Sequence, residues 1–214
     1  MRDAPSMIDV VVHAFVTLFV IVDPIAVAAI FIGLTQGGDD GYRRRMAVRG
    51  TVIAAIVLLV FAFVGEYLFL ALGITLPAFS IAGGALLFLL AIDMVLARRS
   101  GLRSTTVSEE READQKEDIS VFPLAIPLIT GPGALTSVLL LMERNSGNPL
   151  RQFAVVGVVV LVMALTYAAL IYASKMTRLL GVTGVNVVGR IFGIILAALA
   201  VQFILNGLKG SGLV

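Results

Sequence analysis

The sequence predicts an all-α integral membrane protein whose six crossings form two inverted three-helix repeats. Three observations lead there. Charge is scarce: Asp, Glu, Lys and Arg make up 14% of the 214 residues, against roughly 25% in a soluble domain. It is also bunched, since eleven of the 16 basic and 14 acidic residues fall between positions 98 and 118. The apolar runs left on either side are long enough for a hydrocarbon core that takes about 20 helical residues per crossing, and mean hydropathy is +1.02. Finally, helix-breaking residues recur at matching places in the two halves.

The first run covers residues 8–34 and is interrupted at Asp23-Pro24. Pro lacks an N–H and clashes with the preceding turn, so it breaks a helix interior yet suits a first helical position, and Asp is a preferred N-cap. The pair therefore predicts a new half-helix over 24–34. The second and third runs cover 46–72 and 77–97. A charged stretch, 98–118, reads as a solvated linker on the cytoplasmic side. The fourth run, 119–142, carries Pro123, Pro127 and Pro132, and Thr130-Gly131-Pro132 repeats the break of the first run, opening a half-helix at Pro132. The fifth and sixth cover 152–174 and 185–208. Domain organisation is thus a first repeat over 1–97, the linker, a second repeat over 119–209, and a glycine-serine end, 210–214, that reads as the remnant of an artificial linker.

The halves also align. Asp23-Pro24 precedes Gly131-Pro132 by 108 residues, with Ala26 matching Ala134. Gly84, Ala91, Ile92 and Asp93 precede Gly193, Ala200, Val201 and Gln202 by 109. Each half holds three crossings, so the second sits upside down relative to the first, a pattern that points to a transporter with a midplane site.

Orientation follows from the basic residues. Twelve Lys and Arg lie in the loops after the first, third and fifth runs, and four lie on the other side: Arg2, Arg144, Arg151 and Lys209. The positive-inside rule puts the twelve in the cytoplasm and both termini outside. This is a multi-pass protein of the cytoplasmic membrane, and its basic residues are topology signals rather than a nucleic-acid face. Cysteine is absent, which excludes disulfides and thiolate metal sites. The run after Arg2 is too long for a cleavable signal.

Each half-helix start exposes unpaired N–H groups and a positive dipole end at membrane depth, tolerable only against protein or a wet cavity. Gly131 and Gly133 would let a ligand approach the backbone. Two breaks at matching positions, one carrying an acid, favour a binding site over simple kinking. An intramembrane acid costs roughly 2.5–3.5 kcal/mol and marks a pathway or a pair, although Asp23 could serve only as a cap. The candidate substrate-binding residues are Asp23, Pro24, Thr130, Gly131, Pro132, Gly133 and the deep polar Gln202. Asp93 and Arg190, at similar depth, are expected to form a structural ion pair. His13 is the single histidine, one turn from Asp9 and Thr17; it supports no metal site and reads as interfacial or satisfied, with lining of an outer entrance as the alternative. Glu66 reaches an interface or a cavity. Ser80, Gly83, Gly84 and Ala85, with Gly189 and Gly193, are small residues suited to close helix packing.

The stretch Phe122-Pro-Leu-Ala-Ile-Pro-Leu-Ile-Thr-Gly-Pro-Gly-Ala134, with Arg190-Ile-Phe-Gly193 and Ala200-Val-Gln202 leading to Asn206-Gly207, resembles the MarC family of membrane proteins along essentially the whole chain. Segment one departs from the family pattern, holding Ala26 and Ala29 where a Gly and a Pro are usual. The family is similar to small inverted-repeat transporters of the lysine-exporter type. The resemblance implies a permease for small neutral amino acids or similar small polar solutes. The expected mechanism is alternating access without a cofactor, with H+ or Na+ as the coupling ion. The expected partners are the lipid bilayer and a small-molecule substrate, with no nucleic acid; homo-oligomerisation is left open. A passive channel and a membrane scaffold are the alternatives. With no Ser/His pairing, metal-ligand cluster or paired aspartates, the chain is not expected to be an enzyme.

Overall fold

The computed structural model describes residues 6–96 and 118–212. Of the linker assigned to 98–118, all but Asp118 lies outside the described residues, as do 213 and 214. Every regular element among the described residues is helical.

Helix α1 (Met7–Val22) opens on a capping box: the Asp9 N–H donates to the Ser6 hydroxyl, and the Ser6 N–H donates to the Asp9 carboxylate at 2.9 Å. It ends at Asp23, and α2 (Pro24–Leu34) begins at once, where the Asp-Pro pair predicts. Helix α3 (Asp40–Leu72) starts on an Asp39 cap and stops at Gly73, whose left-handed φ of 68° suits a residue without a Cβ. Helix α4 (Leu76–Val95) starts on Thr75, with Pro77 in its first turn.

The fourth run breaks twice. In α5 (Ser120–Ile129) the residues before the two inner prolines, Phe122 (φ −128°, ψ 127°) and Ile126 (φ −126°, ψ 122°), are extended, because the proline ring disfavours helical geometry in its predecessor. The remaining bonds skip a residue, with Leu124 N–H donating to Ile119 and Thr130 N–H to Ala125. Helix α6 (Pro132–Arg144) then leaves at an angle of 61°. Helix α7 (Pro149–Ile171) starts on an Asn148 cap. Helix α8 (Ala173–Gly210) is interrupted at Gly181, φ 63°.

Five stretches are long and apolar enough to cross a membrane: Met7–Leu34, Asp40–Leu72, Leu76–Val95, Pro149–Ile171 and Thr183–Gly210. The bent pair α5 and α6 makes a sixth if it counts as one span. The chain is thus all-helical with five to six candidate spans.

Two helix pairs make the largest interhelical contacts. The α4–α8 pair is the most extensive contact, and small residues permit it. A Cβ at Gly84 would lie 2.7 Å from the Ala200 carbonyl oxygen and 2.7 Å from Ile204 Cγ1; one at Gly193 would lie 3.0 Å from both Val95 Cγ2 and the Val95 nitrogen. The Ser80 hydroxyl donates to the Phe203 carbonyl at 2.8 Å across the same seam. The second pair is α3 with α7. Buried residues of α3 include Ala47, Ala54 and Leu58, and those of α7 include Val155, Val162 and Thr166, each of the latter 108 residues after its counterpart.

Candidate functional site

Asp23 is the hinge between α1 and α2. Its φ of 49° places a non-glycine residue in the left-handed region, its N–H donates to Phe19, and its carboxylate accepts from the Ala26 N–H at 3.2 Å. Asp tolerates that backbone region better than most residues because its short side chain bonds locally. The side chain is fully buried, and Pro24 is buried too. Local chemistry alone thus stops one helix and starts the next.

The second break is built differently. Gly131 is extended (φ −62°, ψ 167°), and α6 starts without a side-chain cap. Thr130 turns back on its own segment: both its N–H and its hydroxyl donate to the Ala125 carbonyl, each at 2.9 Å. The Ala134 and Leu135 N–H groups already donate to the Gly131 carbonyl, and Pro132 has no N–H. The positive end of α6 therefore rests on the backbone around Gly131 and Gly133.

That end lines a cleft enclosing about 370 Å³ of empty space, counting its open mouth. Gly131, Pro132, Gly133 and Ala134 form one wall; Ile21 of α1, Leu128 and Ile129 of α5, and Leu86, Leu87 and Leu90 of α4 form the rest. A Cβ at Gly133 would stand 3.4 Å from Ile21 Cγ2. Asp23 follows Ile21 by two residues, and two Cα–Cα steps span at most about 7.6 Å, so the two helix breaks are neighbours. Asp23 itself does not line the cleft.

Several sequence expectations need correction. The open face of Gly133 is not free for a ligand: Leu87 occupies it. Gln202 lies apart from the cleft on an exposed face of α8, where its amide donates to Asn206 Oδ1 at 2.9 Å. Asp93 and Arg190 form no ion pair; the pairs among the described residues are Arg43 with Asp40 and Arg49 with Asp118. Equal depth does not place two residues on facing sides of their helices, and Gly193, three residues on from Arg190, meets Met94 and Val95 instead of Asp93. Glu66 needs no such correction: it is exposed on α3, in keeping with a residue that reaches an interface.

Sequence reasoning missed the leucine wall from α4, since Leu86, Leu87 and Leu90 look like any apolar helix face. It also missed a polar cluster at the end of the bundle that holds the start of α1. There His13 Nε2 lies 3.4 Å from an Arg144 guanidinium nitrogen, and that guanidinium sits 6.0 Å above the Phe203 ring.

The match to known proteins runs through all of these elements. The model of the MarC family of integral membrane proteins aligns with residues 8–211. The chain belongs to this family. It is 35% identical to the UPF0056 membrane protein YvbG of Bacillus subtilis, covering 95% of this chain and 96% of the relative. The UPF0056 membrane protein of Archaeoglobus fulgidus is 36% identical, over 91% and 90% respectively, and YhcE of Escherichia coli 32%, over 92% and 90%. No solved structure matches. Family membership makes the chain an integral, multi-pass membrane protein and implies the bilayer as its surroundings.

Proposed function

We propose that this MarC-family chain is a permease for small neutral amino acids or similar small polar solutes, working by alternating access in the cytoplasmic membrane. The observation that carries this reading is the meeting of two broken helices, one hinged on a buried acid and the other opening uncapped on a cleft. Discontinuous helices at corresponding positions of two repeats are where small transporters build their sites. A solute carboxylate would lie against the backbone around Gly131, its small apolar part against Leu86, Leu90 and Leu128, and its ammonium would be drawn toward Asp23. Coupling to H+ or Na+ at the Asp23 carboxylate belongs to the same reading. The mechanism calls for no cofactor and no covalent chemistry, so the chain is read as a carrier and not as an enzyme.

Support for an inverted repeat comes from packing. The contact of Gly84 with Ile204 and that of Gly193 with Val95 are the same pair exchanged between halves, since both partners shift by 109 residues. Buried positions on α3 and α7 correspond by a similar shift of 108 residues. Such a pair of halves rocks about a fixed site. Both termini outside is the orientation that the basic loops favour, and cysteines at Gly37 and Asn148 should label from opposite faces.

Counterflow of labelled glycine and alanine in proteoliposomes, with a sugar as control, tests the function. Saturable exchange of the amino acids alone is expected. Flux that neither saturates nor shows counterflow would replace the carrier with a channel, and no flux of either kind would leave a scaffold.

A further inference from the structure

His13, Thr17 and Ile21 follow one another at four-residue steps on α1, so they share one face. That face is fastened to α6 at both ends. Ile21 lies against Gly133 and lines the cleft, while His13 meets Arg144. The two helices therefore run side by side from the cleft to the end of the bundle, over roughly 12 Å of helix rise along α1.

Midway lies Thr17, only 1% exposed. Its hydroxyl is the buried side-chain polar atom without a hydrogen-bond partner among the described residues. Four buried hydroxyls elsewhere in the bundle bond back to the carbonyl four residues earlier: Thr51, Thr136, Ser137 and Thr166 all do so at 2.7–2.8 Å. Thr17 does not. An unpaired buried hydroxyl is costly and is a group that a passing polar solute can satisfy.

At the mouth, Arg144 has no carboxylate within ion-pair distance among the described residues. Phe203 supports the guanidinium through a cation–π contact, and His13 takes one of its five N–H donors. The donors left over have the planar geometry that binds a carboxylate through two parallel bonds.

We propose that the seam between α1 and α6 is the route into the cleft, and that Arg144, seated by His13 and Phe203, is the docking point for the carboxylate of the incoming solute, with Thr17 as the next polar contact. This rests on the permease reading and adds to it a place where the solute is first recognised. The cleft supplies the second anion contact at the start of α6, one helix length further in.

The absence of cysteine makes Thr17→Cys a single thiol on a clean background. Two methanethiosulfonate reagents of similar size, an anionic sulfonate and a cationic trimethylammonium, are applied to the face from which Asn148→Cys labels. Thr17→Cys should react from that face, severalfold faster with the anion. Adding Arg144→Gln should abolish the preference, and adding Arg144→Lys should keep it. Where Thr17→Cys lowers folded yield, the folded fraction is isolated by size exclusion before labelling and carries the same comparison. A Thr17→Cys that stays inert while Asn148→Cys labels overturns the route, and a preference unchanged by Arg144→Gln overturns the docking role. The expected labelling together with no amino-acid counterflow would sustain the seam and overturn the permease reading instead.

Discussion

Leu87 of α4 fills the space in front of Gly133 of α6: a Cβ on Gly133 would collide with Leu87 Cδ2 and stand 3.1 Å from its Cγ. The glycine is there for helix packing as much as for any ligand. One side of the cleft is therefore as rigid as the contact between two helices, and only the backbone around Gly131 and the leucine wall remain to meet a solute.

Gly133→Ala should destabilise the protein by about 1–3 kcal/mol, the usual cost of overpacking. The obstacle is the end of a flexible side chain, so Leu87→Ala in the same molecule should recover part of the loss. Thermal unfolding of the two single variants and the double variant in one detergent checks this. Strictly additive losses would mean that the two residues do not touch.

Gly84 and Gly193 face backbone as well as side chains: the Ala200 carbonyl oxygen and the Ile204 nitrogen for the first, the Val95 nitrogen for the second. Backbone cannot rotate away. Gly84→Val and Gly193→Val should thus lower folded yield by similar amounts, each more than the same change at Gly157, where nothing lies within 4 Å. Unequal effects, with one site tolerant, would count against the exchange of contacts between the halves.

Asp23 combines a left-handed φ with a cap on the Ala26 N–H. Asn satisfies both demands and Ala neither, so Asp23→Asn should fold nearly as well as wild type, while Asp23→Ala loses about 0.5–2 kcal/mol. Transport separates capping from charge. The proposed role predicts severe loss of counterflow in Asp23→Asn; near-normal transport in a stable Asp23→Asn would reduce the residue to a cap.

Asp118, just before α5, accepts from the Ser120 hydroxyl and N–H and from Arg49 at 2.8 Å. The Ser120 hydroxyl and then its N–H hold the carboxyl below its usual range, against an opposing effect of burial, with Arg49 adding a lesser pull in the same direction. A folded pKa below the unfolded value stabilises the protein above the unfolded pKa, and the gain fades as pH falls through the folded one. Asp118→Asn should therefore be less stable than wild type near neutrality, with the gap closing under acid, below about pH 4. The site is exposed, so the difference should be small, about 1 kcal/mol or less, and should shrink in high salt. Melting temperatures across a pH series measure it.

Much of the fold was legible in the sequence because its determinants are local. An Asp-Pro pair inside an apolar run ends one helix and starts another whatever surrounds it, and the half-helix expected over 24–34 is α2. The start of α6 at Pro132 follows from the same grammar. Segment ends were less legible: α3 begins at Asp40, six residues before the apolar run, because the Asp39 cap and the polar first turns extend the helix beyond the hydrophobic signal.

The candidate site was legible in part. The two breaks were expected to approach each other, and Ile21 against Gly133 brings them together. The expected pairing of Asp93 with Arg190 and the inward role of Gln202 failed for one reason. Position along a helix can be counted from the sequence, but rotation about the helix axis relative to a neighbour cannot.

Hydropathy, proline and capping residues, which act through a residue's own backbone and its nearest turns, were enough to determine the class of this protein, its breaks and its MarC-like signature. Only the tertiary structure decided that Leu87 covers Gly133, that Arg144 rests on Phe203 beside His13, and that Thr17 is buried without a partner. These depend on which faces of separate helices turn toward each other, and that choice is made by close packing among residues far apart in the chain.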